Sequence, residues 1–169
     1  VCPKFILMMI IDGKKEAEIL RQEIKKEIES LKSKDNKVPG LTVILIGDFA
    51  PSQIYVKNKE KSAKEVGINS NVIRYSKEVK EKEVLKKIED LNNDIDVSGI
   101  LVQLPLPPQI NKEKIINAVS PKKDVDGFHP INVGNLSSGH HALVPCTPLG
   151  CLYLIKKVEK NLSGKHAVI

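Results

Sequence analysis

Ser52, Tyr55 and Lys59 stand at i, i+3 and i+7 in "SQIYVKNK", the spacing that puts three side chains on one face of a helix. A tyrosine ring there can stack on a flat heterocycle while the lysine one turn on handles protons. For proton transfer near neutrality the amine must spend part of its time uncharged. Burial favours that, and so does a polar neighbour that carries no charge. Gln103 is such a neighbour, able to donate and accept, at the end of the apolar run "VSGILVQ". Asp126 in "DVDGFHP" can receive paired N–H donors from a planar ring, a two-point match for a carboxylate.

Each residue also has a plainer reading. Lys59 lies among Lys57, Lys61 and Lys64, so its spacing equally suits a solvated helix face. Tyr55 can pack on a sheet, Gln103 can satisfy a strand edge, and "PLPP" can be only a turn. Asp124-Val125-Asp126-Gly127 suggests a calcium loop, but the later carboxylates miss the required spacing. His129, His140 and His141 lack any HxH or HExxH pattern and read as loop histidines, so no metal is expected.

The elements that would position these groups alternate. Ala17, Ile19, Leu20, Ile24, Ile28 and Leu31 recur at helical spacing up to about Lys34. "LTVILIG" reads as a buried strand over 41–47. Ser52 serves as N-cap of a helix reaching about Val66 and closed by Gly67. "INSNVIRYS" is a more polar strand, "KEVKEKEVLKKIEDLNND" an amphipathic helix, and "VSGILVQLPLP" a third strand. "INKEKIINAV" forms a short helix, and "PLGCLYLIKKVEKN" another, capped by Thr147 with Pro148 at its first position. "LSGKHAVI" begins a further strand. This order predicts an α/β fold: a three-layer, open, mostly parallel sheet with helices on both faces. Ligands of such sheets bind beyond the carboxyl ends of the strands, where the Ser52–Lys59 helix, Val102-Gln103-Leu104-Pro105 and the "DVDGFHP" loop converge.

Composition narrows the partners. The 169 residues are 41% hydrophobic, chiefly branched aliphatics, and 28% charged, the balance of a soluble globular chain. The net charge of +6 comes from lysines interleaved with glutamates along helices, and aromatics are only 4%. Neither feature suits nucleic acid. Cys2, Cys146 and Cys151 form no even disulfide set and no CxxC pair, which fits a reducing, cytoplasmic setting. The opening apolar run is too short to span a bilayer and resembles no signal peptide; Met8 or Met9 suits a natural start.

Taken together, "IGD…PSQIYVKNKEKSAKEVGI", "GILVQLPLP", "SPKKDVDGFHPINVGNL" and "PCTPLG" resemble, in order and rough spacing, one family. It is the bifunctional methylenetetrahydrofolate dehydrogenase/methenyltetrahydrofolate cyclohydrolase family. The resemblance implies that Lys59 is the catalytic lysine, Tyr55 its partner against the folate ring, and Gln103 the residue that tunes the lysine. It further implies that Asp126 anchors the pterin, that Val102 and Leu104 line the folate pocket, and that Ser52 supports it. The implied chemistry is NADP-dependent oxidation of 5,10-methylenetetrahydrofolate, then hydrolysis of the methenyl cation to 10-formyltetrahydrofolate. On this resemblance, residues 1–146 form the folate-binding catalytic domain and 147–163 a linker helix. Residues 164–169 then start a truncated Rossmann-like, NADP-binding domain, and the full protein is a homodimer. The family usually reads "PAS" where this chain has Ala50-Pro51-Ser52, a departure that touches Ser52 alone. No GxGxxG occurs in these residues. A folate-binding fragment without turnover is one alternative. A basic module binding acidic partners is another.

Overall fold

The computed structural model describes residues 10–35 and 37–168; Cys2, Met8, Met9 and Ile169 lie outside them. Three parallel strands form the sheet, in the order β2 (Asn69–Tyr75), β1 (Gly40–Ile46), β3 (Gly99–Val102). Central β1 is buried on both faces, as a near-continuous apolar run in a parallel sheet should be.

Alternation along β1 divides the core in two. Ile44 and Ile46 face α3 (Glu81–Asn93) and α4 (Lys112–Ala118), where Val84, Ile88, Leu91 and Ile115 close over them. Val43 and Leu45 face the other way and meet Val56 of α2 (Ala50–Val66) and Leu101 of β3. Helices therefore cover both faces of the sheet, as expected. Each fully buried Ile or Val contributes about 1.5–3 kcal/mol through area removed from water. Outermost, α1 (Gly13–Asp35) packs on α2, and its buried Ile28 reaches the helix end at Gly67.

The ends of α2 set the position of the site. Pro51 occupies the first turn, where its missing N–H costs nothing. Helix geometry thus begins at Ala50, with Phe49 as N-cap and no side-chain cap bond. Ser52 is accordingly inside the helix and not its cap, a correction to the sequence expectation. Gly67 closes the helix at φ 92° as expected, and the Ile68 N–H reaches back to Ala63 O at 2.9 Å.

Three further differences stand out. α5 (Pro130–Ser137) was not anticipated; buried His129 caps it, its Nδ1 accepting the Ile131 N–H at 3.1 Å. His129 is thus a helix cap rather than a loop histidine. α6 (Cys146–Val158) starts one residue before the Thr147 expected to cap it, with Pro145 as N-cap. Residues 159–168 form no strand, because no neighbouring strand among the described residues offers them a ladder. The glutamate-interleaved lysines do pair along the helices, as in Lys64–Glu60, Lys61–Glu65 and Lys86–Asp90.

Candidate active site

The site assembles where α2, the end of β3 and the loop after α4 meet. Half-buried Lys59 donates from Nζ to Gln103 Oε1 at 3.1 Å. The amide cannot turn the other way without loss, because its Nε2 donates to Leu104 O at 2.8 Å. Ser52 Oγ, nearly fully buried, donates to the same carbonyl at 3.2 Å. Both lone pairs of Leu104 O are thereby used, and the Lys59-facing oxygen of Gln103 is fixed. Behind them the Gln103 N–H donates to Ile44 O at 2.9 Å, so the residue continues the β3 ladder. The Leu104–Pro105 peptide bond is cis.

Asp126 faces this group from the next loop. The Ile100 N–H donates to Lys123 O at 2.7 Å and Ile100 bridges to Asp124, which lays the loop along the free edge of β3. The Gly127 N–H closes the turn on Asp124 O at 3.2 Å. Burial holds the Asp126 carboxyl above its ordinary range; Lys59 opposes this and Asp124 adds to it. A desolvated carboxylate of this kind gains from ligand N–H donors that replace its lost water.

Sequence-expected residues thus fall into two groups. Lys59, Gln103, Ser52 and Asp126 come together. Val102 and Leu104 join Asp126 and Phe128 in a crevice of about 20 Å³. Tyr55 lies one turn before Lys59 on α2 but is 60% exposed, as a rim residue rather than a buried wall. A cleft of about 450 Å³ runs from Lys59 along the α2 side of the sheet, walled by Leu41, Ala63, Leu101, Val125 and Cys146. Spacing did not point to Asp124, a buried carboxylate that accepts from the His129 N–H at 2.8 Å and Asn132 Nδ2 at 2.9 Å. Its one outward signal was a second carboxylate two residues from the first.

The expected dinucleotide fits these residues poorly. The strand-to-helix turn beside the site, Gly47-Asp48-Phe49, has one glycine and a carboxylate. Phosphate binding there calls for several glycines and open N–H groups. The described residues supply no cradle for NADP.

The fold is an open parallel α/β sheet, and the lysine–amide pair beside a desolvated carboxylate stands where such sheets bind small molecules. Residues 11–126 match the family described as "Tetrahydrofolate dehydrogenase/cyclohydrolase, catalytic domain". The chain belongs to that family. It is 64% identical over 162 residues to the bifunctional protein FolD of Pelagibacter ubique, covering 96% of this chain and 58% of the relative. The corresponding protein of Rickettsia akari is 50% identical over 95% of this chain and 57% of its own length. A crystal structure of the Campylobacter jejuni bifunctional enzyme FolD superposes with a TM-score of 0.90 at 46% identity, over 94% of this chain and 56% of that one. The Trypanosoma brucei enzyme, solved with NADP cofactor and inhibitor, gives 0.88 at 31% identity, over 93% of this chain and 54% of that one. This chain therefore spans just over half the length of these relatives.

Proposed function

We propose that this chain is the folate-binding catalytic part of a methylenetetrahydrofolate dehydrogenase/methenyltetrahydrofolate cyclohydrolase. The observation that carries the reading is the Lys59–Gln103 hydrogen bond of 3.1 Å, held in sight of Asp126. In the hydrolytic half, water adds to the carbon bridging N5 and N10 of the methenyl cation. The proton leaving that water passes to Lys59 and on to solvent. The remaining hydroxyl proton moves to N5 as the bond from N5 to that carbon breaks, which leaves the formyl group on N10 as 10-formyltetrahydrofolate. Gln103, being uncharged, orients the amine without locking it as an ammonium ion. Asp126 receives the N–H donors of the pterin, Val102 and Leu104 flank it, and Tyr55 covers the ring from the rim. When bound, NADP⁺ would accept a hydride from the one-carbon bridge. The described residues do not hold it, and the reading assigns it to a part of the protein beyond them.

A cytoplasmic setting belongs to the same reading, and the unpaired thiols Cys146 and Cys151 fit it; a homodimer of the full-length protein belongs to it as well. A second reading is folate binding without turnover. Lys59→Met in the full-length protein tests both. Hydrolysis of 5,10-methenyltetrahydrofolate should fall by about 10²-fold or more, with folate affinity kept. A variant retaining most activity removes Lys59 from the chemistry. A parent protein that binds folate but hydrolyses nothing favours the second reading.

A further inference from the structure

Asp124 is 6% exposed, and a buried carboxylate in a domain with so few buried charges needs a reason. One of its oxygens, Oδ2, takes both hydrogen bonds, from the main-chain N–H of His129 and from Asn132 of α5. Asn132, also buried, uses the same Nδ2 to hold Pro121 O at 2.9 Å, before the loop begins. The main chain of Asp124 meanwhile lies against Ile100 of β3 and accepts the turn-closing N–H of Gly127. Asp124 therefore ties both ends of the five-residue loop 124–128 to rigid elements, β3 on one side and α5 on the other. Asp126 sits at the middle of that loop. On the far side, a Cβ at Gly127 would fall 2.6 Å from Leu143 O, so the loop is also pressed against the segment entering α6.

We infer that Asp124 is a positioning residue for Asp126, holding both ends of the loop that carries it and so fixing the direction of its carboxylate. The inference rests on the folate reading above. The charged groups facing Asp126 are Lys59 from α2 and Asp124 from its own loop. His129, the remaining titratable group of the loop, is engaged through Nδ1 with the Ile131 N–H. With Lys59 favouring the carboxylate and Asp124 disfavouring it, removing the charge of Asp124 lets Asp126 ionise at lower pH.

The test is a double-mutant cycle in the full-length protein, with tetrahydrofolate affinity measured across pH. Asp124→Ala, which removes the accepting oxygen as well as the charge, should weaken binding about tenfold in the parent and less than twofold once Asp126→Asn is present, because its effect runs through Asp126. In the single variant the pH dependence of binding should move to lower pH, which loss of packing alone would not do. Equal weakening in both backgrounds, or an unmoved pH profile, overturns the inference. Should Asp124→Ala not fold, Asn132→Ala removes one donor and leaves the charge. It should show the same non-additivity with Asp126→Asn, and additivity there overturns the inference too. A parent protein that does not bind tetrahydrofolate brings down the functional reading itself. Binding weakened by Asp126→Asn but indifferent to the cycle brings down only the role of Asp124.

Discussion

Replacing Gln103 by glutamate changes one atom and reverses the logic of the site. The amide offers Lys59 an uncharged acceptor at 3.1 Å and spends its donor on Leu104 O at 2.8 Å. An ionised glutamate keeps the first contact as an ion pair and has no donor for the second. Losing that neutral hydrogen bond costs about 1 kcal/mol. A half-exposed ion pair returns up to about 1 kcal/mol, so folding stability should change little. Chemistry should change much more. An opposite charge at contact distance favours the ionised partner by about one to three pH units. Both side chains are half-buried, and solvent screening points to the lower part of that range. At neutral pH the uncharged amine should therefore become about 10- to 100-fold scarcer. Hydrolysis of 5,10-methenyltetrahydrofolate by full-length Gln103→Glu should slow by the same factor, and the rate should recover as pH rises. Thermal unfolding beside the pH–rate profile checks the premise. A variant with the parent profile would refute the reasoning. Rate lost equally at every pH would assign the damage to geometry instead of charge.

The carboxyl of Asp126, raised chiefly by burial, gives a second expectation whose sign follows from linkage. The folded state holds this proton to higher pH than the unfolded chain. The resulting stability is therefore complete below the unfolded range and is lost as pH rises through the folded value. Asp126→Asn should unfold at higher temperature than the parent near neutrality, with the gap closing in acid, while tetrahydrofolate affinity falls; a constant gap across pH would contradict this. Gly127→Ala should both destabilise the fold and weaken folate binding. At φ +66° a side chain costs about 1–2 kcal/mol, and its Cβ would also lie 2.9 Å from Pro145 Cδ. Unchanged melting and unchanged affinity would show that the loop yields at no cost.

The strands and long helices were legible because their signals are local. β1 announces itself by a near-continuous apolar run, and α2 ends where Gly67 can take a left-handed turn. α5 escaped because it is only eight residues long, carries Gly134 in its middle, and opens on a histidine seldom read as a cap. Ser52 was misplaced for a related reason. A serine near a helix start ordinarily caps it, but Pro51 allows the helix to begin three residues earlier, with Phe49 as cap, and Ser52 then reaches a carbonyl just beyond the end of β3. The nearness of Lys59 to Gln103 could be argued from topology, since α2 begins just beyond the carboxyl end of β1 and Gln103 follows the carboxyl end of neighbouring β3. The role of Asp124 could not. It depends on Asn132 and on a main-chain N–H five residues away, and no periodicity encodes either.

The bonds that build the site join positions far apart along the chain, 44 residues between Lys59 and Gln103 and 52 between Ser52 and Leu104. During folding such closures come late, because the intervening chain must already be ordered before they can form. A compact intermediate with sound helices would still have no active site. The converse holds for a bound ligand. A molecule gripping Lys59, Gln103 and Asp126 together clips three remote segments to one another, so it resists unfolding of the whole sheet rather than of one loop. Occupancy should then appear as slower amide exchange in β1 and β3 as well as around the ligand.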